Sequence, residues 1–225
     1  LRQVCDEVRA LGGQAVHAVA DVGDEAQIQH VVEVADREFG GFDTRVNNAG
    51  VVVFSALMDL PTHDHERLFQ TNYWGMVFGS RAAVEHFRER PDGGTIINIA
   101  SINAEMPVPI LGAYSASKAA VKAFSEVLRM ELEHEDAPVR LTVIKPSGIS
   151  TPISAHGKSH TGDRGKVMPP LYDAEVVAST ILKAAQRPLR AITVGETGKA
   201  STLATAGAFL VKFGVGPDRN IDRAV

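Results

Sequence analysis

Segments with a helical apolar period alternate along this chain of 225 residues with short runs of β-branched and aliphatic residues. A lone amphipathic helix or strand leaves its apolar face in water. A parallel sheet with helices on both faces buries every such segment at once, so the alternation predicts a doubly wound, Rossmann-like α/β sheet. No repeat or linker interrupts it, and one domain over 1–225 is expected. Val4, Val8 and Leu11 share a helical spacing that Gly12-Gly13 ends. Gln14 to Val19 reads as a strand. Asp24 caps a second helix with Ile28, Val31, Val32 and Ala35 inward, ended by Gly40-Gly41. Thr44 to Val46 is a short strand, and about His63 to Arg90 is a long helix rich in aromatics. Strands are expected over Thr95 to Ala100, Val139 to Ile144 and Ala191 to Val194, with helices over Ala113 to Glu133 and Ala174 to Ala185, the latter capped by Asp173. Residues 151–172 show no period, and a loop of that length in a compact domain points to function. The tail, 195–225, reads as a weak helix with a polar end.

Composition narrows the function classes. A net charge of −4 gives no basic footprint for nucleic acid. Cys5 is the sole cysteine, so an intramolecular disulfide and a multi-cysteine zinc site are both excluded. That fits a reducing compartment, and a cytoplasmic location is expected. The best apolar run, Ala204 to Phe213, is too short to span a bilayer and contains Gly207 and Lys212. His63 and His65 flank Asp64 at a helix start, where solvation is a better reading than a metal site lacking a third ligand. Gly195 to Lys199 looks like a phosphate loop, but its glycines have the wrong spacing.

Four local signals carry chemistry. Tyr114 and Lys118 are four apart, so a helix puts them on one face, and a neighbouring ammonium is expected to lower the tyrosine pKa toward use as a general acid or base. Ser101 ends the buried strand Ile96 to Ala100, where open α/β sheets place their ligand crevice; it either holds a substrate oxygen or bonds a loop amide. Asn47-Asn48-Ala49-Gly50 lies at another strand end, with small residues that let a ligand approach and amides that can bridge strands. Asn72 and Gly75 are poor residues for a helix interior, and their coincidence predicts a local distortion.

Together these motifs make the chain resemble the short-chain dehydrogenases/reductases from about Val4 to Val194. Asp21-Val22 is similar to the acidic pair at the adenine end, and Asn47 to Gly50 to the family's N-N-A-G. Asn72 to Gly75 is similar to N-x-x-G, and Ser101 precedes Tyr114-Ser115-Ala116-Ser117-Lys118 by 13 residues. Pro146 to Thr151 is similar to the cofactor segment P-G-x-x-x-T, with Ser147 in place of glycine. The resemblance implies hydride transfer between NADP or NAD, which this chain does not distinguish, and a small alcohol or carbonyl. Tyr114 would exchange the proton, Lys118 hold the nicotinamide ribose, Ser101 orient the substrate oxygen and Asn72 hold a relay water. Asp21, Val22, Asn48, Ala49, Gly50, Pro146, Ile149 and Thr151 would line the cofactor. It further implies a homodimer or tetramer paired through the long helices, with Val121, Phe124 and Leu128 on their apolar faces. His156 and His160 of the 151–172 loop, and the apolar run Met106, Pro107, Pro109 and Leu111, would border substrate or merely pack loops.

The sequence has no T-G-x-x-x-G-x-G turn, and the family's first β-α-β unit, about 40 to 50 residues, is expected to be absent from this chain. Arg45 stands where the family has an apolar strand residue. These departures support a second expectation: a truncated, non-catalytic relative acting as an interaction partner or remnant.

Overall fold

The structure is a computed structural model that describes residues 1–162, 165, 167 and 169–195. The expected tail helix, the run Ala204 to Phe213 and residues 196–199 lie outside the described residues.

Helix α1 (Arg2–Ala10) ends before Gly12, whose φ of 85° lies in the left-handed region. Asp24 caps α2 (Glu25–Phe39) by accepting from the Ala26 and Gln27 amides, and Gly40 closes it at φ 73°. Helix α2 buries Ile28 and Val34, with Val31, Val32 and Ala35 half-buried. Between the two helices the expected strand is not formed. Among the described residues, 14–20 pair with no neighbouring strand, and Val19 is 82 % exposed. Alternating apolar residues make a strand only where another strand completes the ladder.

Among the described residues the main sheet has four parallel strands, β1 (Thr44–Asn47), β3 (Gly94–Ile99), β4 (Val139–Pro146) and β6 (Ala191–Val194), side by side in that order. After β1 come α3 (Thr62–Phe69), a π-turn (Gln70–Trp74) and α4 (Gly75–Arg88). The expected single helix is thus broken at Asn72, where the Gly75 amide reaches back five residues to the Gln70 carbonyl. Helix α5 (Gly112–His134) joins β3 to β4, and α7 (Ala174–Gln186) joins β4 to β6. Asp173 stands at the start of α7 but makes no capping bond.

The sheet has two buried faces, as a doubly wound fold requires. On one, Ile96, Leu141 and Val143 meet Val84 and Phe87 of α4 and Val121 and Leu132 of α5. On the other, Ile97, Ile99 and Ile144 meet Ala184 and Ile181 of α7. Phe124 and Leu128 also pack on the first core, so the residues expected to pair subunits are turned into their own chain; α5 exposes Val127 and Met130 instead.

The 151–172 segment is not wholly irregular. It holds a short α6 (Ile153–His156) and β5 (Lys158–Ser159), which pairs with β2 (Val53–Phe54) just past the Asn47 to Gly50 turn. Ser55 bridges Leu111, and Ile149 bridges Tyr172. Every one of these contacts lies beyond the carboxyl end of a main-sheet strand. Among the described residues, no helix is long and apolar enough to cross a membrane.

Phe87 is fully buried at the centre of the first core. Phe87→Ala is expected to destabilise the fold by about 3–5 kcal/mol, read as a lower urea midpoint with an unchanged slope.

Candidate active site

Three strand ends and one helix build the site. Strand β1 delivers Asn47, whose amide donates to Asn98 Oδ1 of β3 at 2.8 Å and to Ser80 Oγ of α4 at 3.1 Å. The amide therefore bridges neighbouring strands, as its position suggests. Asn98 is fully buried and donates onward to Ser125 Oγ of α5 at 2.9 Å. A polar line thus crosses the sheet from β1 to the helix that carries Tyr114 and Lys118. Arg45 lies half-buried on the edge strand and donates from Nε to Asn47 Oδ1 at 3.0 Å. Burial pulls its guanidinium pKa down from the usual value. The Asn47 amide oxygen gives this half-buried cation a hydrogen-bond partner.

Asn72, 1 % exposed, is far from the solvent-facing alternative for a mid-helix asparagine. Its Oδ1 accepts from the Val51 amide at 2.8 Å, and its Nδ2 donates to the Val51 carbonyl at 2.9 Å and to Ser117 Oγ at 3.1 Å. Ser117 donates in turn to the Tyr114 carbonyl at 2.7 Å. The π-turn therefore presents an amide that pins both the loop after Gly50 and the first turn of α5.

Lys118 is 4 % exposed and donates from Nζ to the Ile99 carbonyl at 2.9 Å. The ammonium lies 5.8 Å from the centre of the Tyr114 ring. Burial depresses its pKa to about 8. Tyr114 departs from expectation: loss of water raises its pKa, and only the Ser101 hydroxyl pulls the other way. The expected lowering presumed an ammonium facing the phenolate oxygen, but here the lysine is bound to a backbone carbonyl deeper in the fold. Ser101 is buried and also accepts from the Asn103 amide at 3.1 Å, the loop contact that was one of its two readings.

The remaining expected residues surround this group. Gly50 is open backbone beside it: a Cβ there would lie 3.5 Å from Asn72 Oδ1 and 3.6 Å from Lys118 Nζ. Val22, Asn48 and Ala49 share a small cavity of about 50 Å³ with Arg45 and Gly75. Asp21 is joined to Arg67 of α3 at 2.8 Å, and that guanidinium holds its carboxyl below the usual range. Pro146 pairs with Val194, and the Ile149 bridge to Tyr172 sets the path of the segment that leads to the exposed Thr151. Of the apolar run after Ser101, Pro107 and Pro109 are exposed, while Leu111 is half-buried. His156 is exposed, whereas His160 and Lys158 both contact Asp64, at 2.8 Å each. Among the described residues, no group of three metal-ligating side chains is assembled.

Ser117, Asn98 and Glu105 escape a reading by motif. An asparagine inside an isoleucine run was the available signal for Asn98, since a buried amide must find partners. Ser117, inside the Tyr-x-x-x-Lys spacing, gives none.

A profile of the family described as short chain dehydrogenase matches residues 1–161. This chain belongs to that family. It is 39 % identical over 214 residues to a Bacillus subtilis protein named as the uncharacterized oxidoreductase YxnA, covering 95 % of this chain and 60 % of the relative. It is 34 % identical over 207 residues to the probable oxidoreductase EphD of Mycobacterium tuberculosis, covering 85 % of this chain and 35 % of the relative. The chain thus spans about 60 % or less of the length of these two relatives. Its fold is shared with a short chain dehydrogenase/reductase from Burkholderia phymatum solved in complex with NAD, at a TM-score of 0.82 and 21 % identity, over 98 % of this chain and 84 % of that one.

The depressed Lys118 pKa fixes the sign of a stability effect. Between about 8 and the ordinary 10.5 the unfolded state binds more protons, so this group's cost is full below 8 and disappears as pH rises through that window. Lys118→Met is expected to stabilise the fold at pH 7 by on the order of 2 kcal/mol, after loss of the Ile99 bond. Urea unfolding at pH 7 and pH 10 should show that gain shrinking at the higher pH.

Proposed function

We propose that this chain carries the catalytic residues of an NAD(P)-dependent oxidoreductase that moves a hydride between nicotinamide and an alcohol or carbonyl carbon. The observation that carries the proposal is the convergence of Asn72, Ser101, Tyr114 and Lys118 beyond the carboxyl ends of β1 and β3, around an ammonium buried at a cost. A remnant with no chemistry to perform gains nothing from such a charge, and this weighs against the non-catalytic alternative.

The residues suit the nicotinamide half of the cofactor. Lys118 spends one of its three donors on Ile99, leaving two for ribose hydroxyls, and the bare backbone of Gly50 leaves room beside them. The cofactor supplies the hydride acceptor or donor. Tyr114 passes the proton to or from the substrate oxygen, and Ser101 donates to that oxygen and fixes its direction. Asn72 holds Val51 and Ser117 in place, and so sets the first turn of α5. Asp21, Val22, Asn48 and Ala49 take the adenosine side, and Pro146, Ile149 and Thr151 the carboxamide edge. NADP, slightly favoured, or NAD fills the cofactor role. Two copies would pair through the exposed Trp74, Val127 and Met130, with light scattering as the readout.

Fluorescence titration with NADH and NADPH tests the reading. Binding weaker than micromolar is expected, since the sequence has no T-G-x-x-x-G-x-G turn for the pyrophosphate, with Tyr114→Phe retaining it while turnover of a panel of secondary alcohols falls about 10²- to 10⁴-fold. Absence of binding at millimolar cofactor overturns the proposal for this chain.

A further inference from the structure

A second, largely buried charge group stands outside the set Asn72, Ser101, Tyr114 and Lys118. Glu105 follows the 3-10 turn (Ile102–Ala104) that begins at Ser101, and its side chain is only 19 % exposed. Its Oε1 accepts from Lys145 Nζ at 2.7 Å and from Lys122 Nζ at 3.0 Å. Lys145 is 11 % exposed and directly precedes Pro146 at the end of β4. Lys122 is one helical turn beyond Lys118 on α5. A single carboxylate oxygen therefore ties together the Ser101 turn, the strand that leads into the Pro146 to Thr151 segment, and the helix of Tyr114 and Lys118.

The rest of the Ser101 turn is held by short-range bonds. Ala104 N donates to the Ser101 carbonyl, Glu105 N and Met106 N to the Ile102 carbonyl, and Asn103 N to Ser101 Oγ. Those bonds shape the turn but do not fix its place relative to α5. The two ammonium contacts of Glu105 add that tie, beside the Lys118 bond to the Ile99 carbonyl two residues before Ser101. Burial pushes the Glu105 carboxyl up, and the Lys145 and Lys122 bonds outweigh it, so the group stays ionised at neutral pH. Two buried or half-buried lysines around one carboxylate are costly to desolvate unless the geometry is held.

We propose that Glu105 is a positioning residue that clamps the Ser101 turn to β4 and α5 and thereby sets the Ser101 hydroxyl against Tyr114. The inference rests on the proposed partnership of Ser101 and Tyr114, but its test needs neither cofactor nor turnover.

The test reads Tyr114 ionisation. A stopped-flow alkaline pH jump, followed at 295 nm before the fold opens, gives the phenolate fraction as a difference from Tyr114→Phe. Ser101→Ala calibrates the loss of the serine contact. The double variant Glu105→Leu/Lys145→Met removes one anion and one cation, leaving local net charge unchanged while breaking the clamp. It is expected to lower the phenolate fraction at a given pH about threefold, in the same direction as Ser101→Ala, with no further loss when the changes are combined. A double variant that titrates like wild type, or whose effect adds in full to that of Ser101→Ala, overturns the proposal. Should that double variant fail to fold, Lys122→Met, at a side chain 37 % exposed, loosens only the outer contact. Hydrogen exchange should then quicken at the Ala104, Glu105 and Met106 amides, and unchanged exchange there counts against the clamp. Cofactor titration of the same samples separates the two proposals, since loss of the oxidoreductase reading leaves the Tyr114 titration intact.

Discussion

The bond from Lys118 Nζ to the Ile99 carbonyl is the contact around which the site is organised. It places a cation among apolar strand ends, where water cannot stabilise it, and it draws α5 onto the last residue of β3. From that anchor the first turn of α5 is fixed, and with it the position of Tyr114 and the Ser117 hydroxyl that meets Asn72. The electrostatic consequence differs from a simple tyrosine–lysine pairing. With the ammonium held by a carbonyl and 5.8 Å from the ring centre, burial decides the state of the phenol, and Ser101 is the group that favours its ionised form.

Around that anchor runs a frame of buried amides and hydroxyls. Asn47, Asn98, Ser80 and Ser125 connect β1, β3, α4 and α5 by side chain alone. A core of isoleucine and phenylalanine is indifferent to small shifts of one layer over another. A chain of satisfied amides is not, because any shift leaves a buried donor without an acceptor. The apolar clusters supply cohesion, and the polar line fixes the register in which the strand ends meet.

Much of this was legible from residue pattern. The strands Thr95 to Ala100 and Ala191 to Val194 read well because continuous β-branched runs have few alternative folds, and Asp24 and Gly40 mark their helix ends by backbone chemistry. Gln14 to Val19 misled because strand formation depends on a neighbour that local sequence does not describe. The inward turn of Phe124 and Leu128 was equally hidden, since a period shows that a helix has an apolar face but not what covers it. At the candidate site, Tyr114 and Lys118 were marked by their spacing, Ser101 by its place at a strand end and Asn72 as a poor residue for a helix interior. The raised Tyr114 pKa was not, because it comes from burial of the phenol, which the spacing of two residues does not describe.

The π-turn at Gln70–Trp74 has a further consequence for the helix that contains it. One extra residue in a turn rotates everything downstream by about 100° relative to an unbroken helix. Leu68 before the turn is buried in one apolar cluster, and Met76 and Val77 after it in another. The segment thus carries two phases of one helix joined at a seam, and Asn72 sits on the seam. Shortening it by a residue would regularise the backbone hydrogen bonds yet swing the amide off Val51 and Ser117. Local helical regularity and the placement of this amide are therefore opposed, and the length of the segment records which of them the fold keeps.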